Sequence, residues 1–209
     1  MSTKRVVIEG EERLEGMLRE GPGKAAAVLS HPHPLYGGSM WNNVVDALDE
    51  GFFRAGFSTL RFNFRGVGAS TGRHDGGPGE MRDAAAACRF LLESVAAERL
   101  VLAGYSFGAW VCATAAPDIA RETVPDLELC LAAYPFSFYP AGELRAFRGR
   151  ICFIAGSFDE IAPVDALLAL LPELSAEKSL KIIPCDHMFG GKEQEITAFI
   201  AETFGKEDG

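Results

Sequence analysis

The feature that most constrains this chain is a succession of six short apolar runs, KAAAVLS, STLRFNF, RLVLAGY, LELCLAAY, RICFIAG and SLKIIP, each parted from the next by a loop or a helical stretch. Runs this short and this continuous suit strands covered on both faces, because a half-exposed strand would alternate apolar with polar residues. Helices are predicted between them over 40–54, 80–95, 107–115, 164–171 and 193–204. Two further strand patterns, KRVVIEG and RLEGMLRE, flank a Gly-Glu-Glu turn near the N-terminus and predict an antiparallel hairpin. Strand and helix alternating after an opening hairpin give an α/β fold: a mostly parallel central sheet with an antiparallel edge and helices on both faces. No Pro/Ser-rich linker or charge run interrupts the pattern, so residues 1–209 are expected to form a single domain.

Composition narrows the possible partners. With 48% hydrophobic and 23% charged residues, the chain has the apolar content for a sizeable core. A net charge of −9 and the lack of any basic cluster exclude a general nucleic-acid-binding surface. The apolar run before Glu9 is only three residues, far short of a signal-peptide core or a membrane span, so a cytoplasmic protein without a membrane partner is expected. The five cysteines form no CxxC pair, and Cys88, Cys112, Cys130 and Cys152 sit in apolar segments where a thiol acts as a small hydrophobe. Cys185 alone lies in a polar turn, two residues before His187.

In a sheet of this kind, chemistry gathers at the carboxyl ends of the strands. Four of the loops there are unusual: SHPHPLYGGSMWNN, GYSFGAW, GSFDEIAP and CDHMFGG. The segment GYSFG is a GxSxG motif placed between a strand and a helix, the setting of a nucleophile elbow, although a serine at that junction also serves as a helix cap. A serine hydroxyl becomes a useful nucleophile only when a base removes its proton and a carboxylate orients that base. Of the four histidines, His187 alone follows the last predicted strand, and Asp159 ends the strand-helix unit before it. Asp186, adjacent to His187, reads as a turn or capping residue. The candidate set is therefore Ser106, Asp159 and His187.

Five motifs in order, HPHPLYGG, FNFRGVGAS, GYSFGA, GSFDEIAP and DHMFGG, resemble those of α/β-hydrolase fold serine hydrolases. The narrower likeness is to the small, lidless members that resemble dienelactone hydrolase-like proteins, and it spans nearly the whole chain. Ser106 departs from true dienelactone hydrolases, which carry cysteine at the elbow. The resemblance implies a Ser-His-Asp triad acting through an acyl-enzyme, with no cofactor and a small-molecule ester or thioester as substrate. It also implies an oxyanion hole built from the backbone NH groups of Phe107 and His33, with Leu35 as the alternative to His33.

Other residues carry weaker expectations. Tyr36, Trp41, Phe136 and Phe189 are expected to line a substrate pocket, while Arg61 and Arg65 are expected to anchor loops more readily than to touch substrate. Arg73 and His74 lie in a glycine-rich stretch and are expected to face solvent. The HxH of HPHP is too small a ligand set for zinc, and the loop FRGVGASTG lacks the lysine of a phosphate cradle, so no metal and no nucleotide are expected. The 134–150 connection leaves no room for a cap domain. Two alternative functions remain: a binding protein that kept the scaffold and lost turnover, or an acyltransferase using the same three residues.

Overall fold

Along β3 (Ala25–Ser30) successive side chains enter different cores, Ala26 and Val28 on one side of the sheet, Ala27 and Leu29 on the other, all fully buried. The same division runs along β5 (Arg99–Tyr105), where Leu100 and Leu102 oppose Val101, Ala103 and Tyr105. This is why these runs are apolar at every position: the sheet buries both of its faces. The computed structural model describes residues 3–122 and 126–205 of the chain. All eight strands join one sheet in the order β1-β2-β4-β3-β5-β6-β7-β8. The hairpin of β1 (Thr3–Ile8) and β2 (Leu14–Arg19) forms an antiparallel edge, and β4 (Ser58–Phe62) pairs antiparallel with β2 but parallel with β3. From β3 onward β5, β6 (Leu127–Ala132), β7 (Arg150–Gly156) and β8 (Glu177–Ile183) are all parallel.

One face packs under α1 (Asn43–Arg54) and α6 (Glu193–Phe204), the other under α2 (Pro78–Ser94), α3 (Phe107–Glu122) and the shorter α4 (Gly142–Ala146) and α5 (Val164–Leu170). The five-residue α4 sits in the 134–150 connection, which holds no cap domain. Among the described residues no helix is long and apolar enough to cross a membrane.

The helix boundaries depart from expectation for local reasons. α1 begins at Asn43, not at residue 40, because the Asn42 side chain caps it by accepting from the Val44 amide. α2 starts two residues earlier than expected, on Pro78, with the Glu80 carboxylate accepting from the Gly77 amide at 2.8 Å. α3 was expected to stop near residue 115, ahead of Pro117, but it continues to Glu122. A proline forfeits one helical hydrogen bond, and here Ala116 and Ile119 stay buried against the core on either side of it.

The loop after β4 is fixed to α2 by a buried ion pair. The Arg65 guanidinium donates to Asp83 at 2.8 to 3.2 Å, and the Arg65 amide donates to the same carboxylate at 2.9 Å. Their side chains are 5% and 2% exposed, so neither charge has water to fall back on. Arg65 thus anchors the loop, as its position suggested. Replacing Asp83 by alanine removes the arginine's nearest partner and leaves it Glu11 and Asp75, at 3.5 and 3.8 Å, which is expected to cost about 3 kcal/mol of unfolding free energy in a urea titration. An unchanged midpoint would mean that the pair holds nothing.

Candidate active site

Ser106 occupies the turn between β5 and α3 with φ +55°, a left-handed conformation that a residue with a side chain seldom adopts. Three hydrogen bonds hold it there: its amide donates to Ala132 O at 2.9 Å, and its carbonyl accepts from the Ala109 and Trp110 amides. The turn is tight because Gly108 lies against the chain leaving β3, where a Cβ would stand 2.3 Å from the Ser30 carbonyl oxygen and 2.6 Å from that of His31.

The structure joins Ser106 to His187 and Asp159. His187 Nε2 lies 2.9 Å from Ser106 Oγ, and His187 Nδ1 lies 2.7 Å from Asp159 Oδ2. Asp159 is itself held, since its Oδ1 accepts from the Ile161 and Ala162 amides at 2.9 and 2.7 Å. Its carboxylate accepts a hydrogen bond from Nδ1–H, which keeps that proton on Nδ1 and leaves the Nε2 lone pair facing the serine hydroxyl. Gly156 lets the two loops meet, for a Cβ there would come within 2.7 Å of the Cys185 carbonyl. Asp186 accepts from the Met188 amide at 3.0 Å, a turn contact as its position suggested. Sequence reasoning missed Tyr105, whose hydroxyl donates to the His187 carbonyl at 2.7 Å and so steadies the loop that carries the imidazole. Burial, with Asp159 and Asp186 nearby, pushes that phenol far above its ordinary pKa and keeps it a donor.

The HPHP loop packs beside the elbow, with the His33 ring 4.8 Å from the Phe107 ring. Neither the His33 amide nor the Phe107 amide donates to an acceptor among the described residues, whereas the Leu35 amide is taken by His33 Nδ1 at 3.2 Å. The His31 ring is fully buried: its Nδ1 donates to Pro32 O at 2.6 Å and its Nε2 accepts from the Phe64 amide at 3.1 Å, tying the β3 loop to the β4 loop. Arg61 pairs with Asp46 and lies over the Trp41 ring at 4.5 Å.

Two expectations fail. Phe189 cannot line an open pocket: it is fully buried in the core beneath α1 and α6, edge-on to Tyr105. His74 does not face solvent, although Arg73 does. The His74 side chain is only 13% exposed, and its Nδ1 meets the buried Glu80 carboxylate at 2.8 Å. Of the other pocket candidates, Tyr36 and Trp41 are exposed and Phe136 is half-buried against Tyr134. Four cysteines are buried as expected and Cys185 is partly exposed; all five are free thiols. Among the described residues no three His, Cys, Asp or Glu side chains gather to hold a metal ion.

Residues 27–202 match the model of the alpha/beta hydrolase family. The chain belongs to that family. An uncharacterized protein of Rickettsia prowazekii is 34% identical over 208 residues, which cover 91% of this chain and 83% of the relative. The structure of an α/β serine hydrolase homologue from Coxiella burnetii is 31% identical and superposes with a TM-score of 0.86, covering 97% of this chain and 98% of that one. A serine hydrolase without a lid from Xanthomonas campestris is 26% identical, with a TM-score of 0.85 and coverage of 97% and 93%. This alpha/beta hydrolase is thus a small hydrolase similar to that lidless one, and among the described residues no cap domain covers its strand ends.

His31 gives the hydrolase a testable pH dependence. Burial lowers its pKa from 6.5 to about 4, against the opposing bond to Pro32. Between those values the unfolded chain binds a proton that the folded protein refuses, so stability falls as the pH drops through that window, by about 3 kcal/mol in full. His31→Gln, which keeps an acceptor but does not titrate, is expected to show a shallower decline between pH 6.5 and 4 in urea unfolding. Parallel curves for the two proteins would remove His31 as the cause.

Proposed function

We propose that this hydrolase is a cofactor-independent serine esterase acting on carboxylic esters, with thioesters the next choice, and that Ser106, His187 and Asp159 are its catalytic triad. The observation that carries the reading is the unbroken chain from Asp159 Oδ2 through His187 to Ser106 Oγ, at 2.7 and 2.9 Å. Ser106 Oγ attacks the ester carbonyl while His187 Nε2 takes its proton, and Asp159 steadies the imidazolium that forms. The amides of Phe107 and His33 serve the tetrahedral oxyanion; their lack of acceptors among the described residues supports this choice, and the engaged Leu35 amide weighs against the alternative. Collapse of the intermediate breaks the ester C–O bond, and His187 delivers its proton to the leaving alkoxide. A water then gives His187 a proton as it attacks the acyl-enzyme, and Ser106 regains its proton when the acid departs.

The substrate on this reading is a small molecule that enters from the open side, past Tyr36. The intact chain of three side chains favours turnover over a binding protein that merely kept the scaffold. Wild-type protein is expected to take up one fluorophosphonate, seen by intact mass, and to hydrolyse short-chain p-nitrophenyl esters, both of which Ser106→Ala abolishes. Asp159→Asn is expected to lower kcat by roughly three to four orders of magnitude. Folded wild-type protein that neither labels nor turns over any ester would sink the proposal.

A further inference from the structure

A second histidine-carboxylate pair lies beside the first. Glu80 is fully buried, and its Oε1 meets His74 Nδ1 at 2.8 Å while also accepting from the Asp75 amide; its Oε2 accepts from the Gly77 amide. A carboxylate held this way fixes the tautomer of its histidine, placing the proton on Nδ1 and leaving Nε2 as a basic acceptor. Nε2 has no hydrogen-bond partner among the described residues. The ring itself stands 4.8 Å from His33 and 5.6 Å from Phe107, the residues assigned the oxyanion amides above. The triad does not use this pair.

The surroundings are aromatic. Phe107 also touches Trp110 and Tyr139, which stack on each other with centroids 4.1 Å apart, and Tyr36 leans on His33 at 4.9 Å. Phe107 is itself buried, but His33, Tyr36, Trp110 and Tyr139 keep part of their rings at the surface, with one imidazole acceptor set among them. A planar ring bearing a hydroxyl donor satisfies both features, by stacking on the aromatic faces and donating to Nε2. An alkyl chain would leave Nε2 without a partner, and a carboxylate would bring a second set of lone pairs against it in place of a donor.

We propose that His74, set by Glu80, is a specificity residue that accepts a hydrogen bond from the hydroxyl of a phenolic ester substrate, with His33, Tyr36, Trp110 and Tyr139 receiving its ring. This rests on the esterase reading and names its substrate class.

The test compares methyl esters of phenylpropanoic acid, its para-hydroxylated counterpart and its para-carboxylated counterpart. The ratio of kcat/KM for the hydroxylated over the plain ester is expected to be about tenfold in wild type. In His74→Phe, which keeps a ring, and in His74→Leu, which keeps neither ring nor acceptor, it falls to near one. A wild-type ratio near one, a ratio that survives in both variants, or a preference for the carboxylated ester would overturn the proposal. Binding decides it without turnover. By calorimetry, folded Ser106→Ala protein should hold the free hydroxylated acid more tightly than the plain acid, and the further His74→Phe change should erase the difference. If no ester is hydrolysed yet this binding difference is found, the esterase reading fails while the phenol subsite stands. Equal binding of the two acids overturns the subsite even in an active esterase.

Discussion

The contact on which the site depends is backbone against backbone, where Gly108 rests on the carbonyls of Ser30 and His31. It brings the start of α3 and the chain leaving β3 closer than any side chain would permit, and so sets the spacing between the amides of Phe107 and His33. The strain at Ser106 belongs to the same construction. A left-handed serine persists only where its neighbours over-determine it, and here the strand ladder supplies one hydrogen bond and the first turn of α3 supplies two. Local discomfort at one residue is the cost of presenting its oxygen above the sheet, and the buried core on both faces bears it.

The four histidines show how partners, more than residue type, decide a role. His31 is buried and bonded at both nitrogens by backbone groups, so it stays neutral and acts as a brace. His33 gives its Nδ1 to the Leu35 amide, and its own amide donates to no acceptor among the described residues. His187 and His74 each have a carboxylate on Nδ1, but only His187 has a serine hydroxyl on Nε2. One residue type thus supplies a brace, a loop fold, a hydrogen-bonded relay and an open acceptor within one end of the sheet.

The strands were legible in the sequence because a sheet covered on both faces must be apolar at nearly every position, and Arg99 to Tyr105 shows this in a single run. Ser106, Asp159 and His187 were legible for a related reason: each follows a strand, and strand ends converge at one edge of a parallel sheet. Helix ends were less so, since Asn42 and Pro117 act through a cap and a lost donor that must be weighed against burial. Phe189 illustrates what sequence position cannot give. It lies two residues from His187 and looks like pocket lining, yet its φ of +54° accompanies a ring turned inward beneath α1 and α6. His74 is the converse case, for nothing near it in sequence tells that Glu80 will be buried behind it or that the HPHP loop, forty residues earlier, will cover its ring.

The short 134–150 connection, with only the five residues of α4 as its helix, leaves the strand ends without a mobile cover. Tyr36 and Phe138 protrude there into solvent. On the esterase reading, no domain has to swing aside before substrate enters or product departs, so turnover is paced by encounter and bond-making. The acyl-enzyme would form at a recessed serine that no cap domain closes off from water. Water is then always the most abundant acceptor at the bond, and a competing alcohol or amine could capture the acyl group only by binding beside Ser106 for longer than deacylation takes.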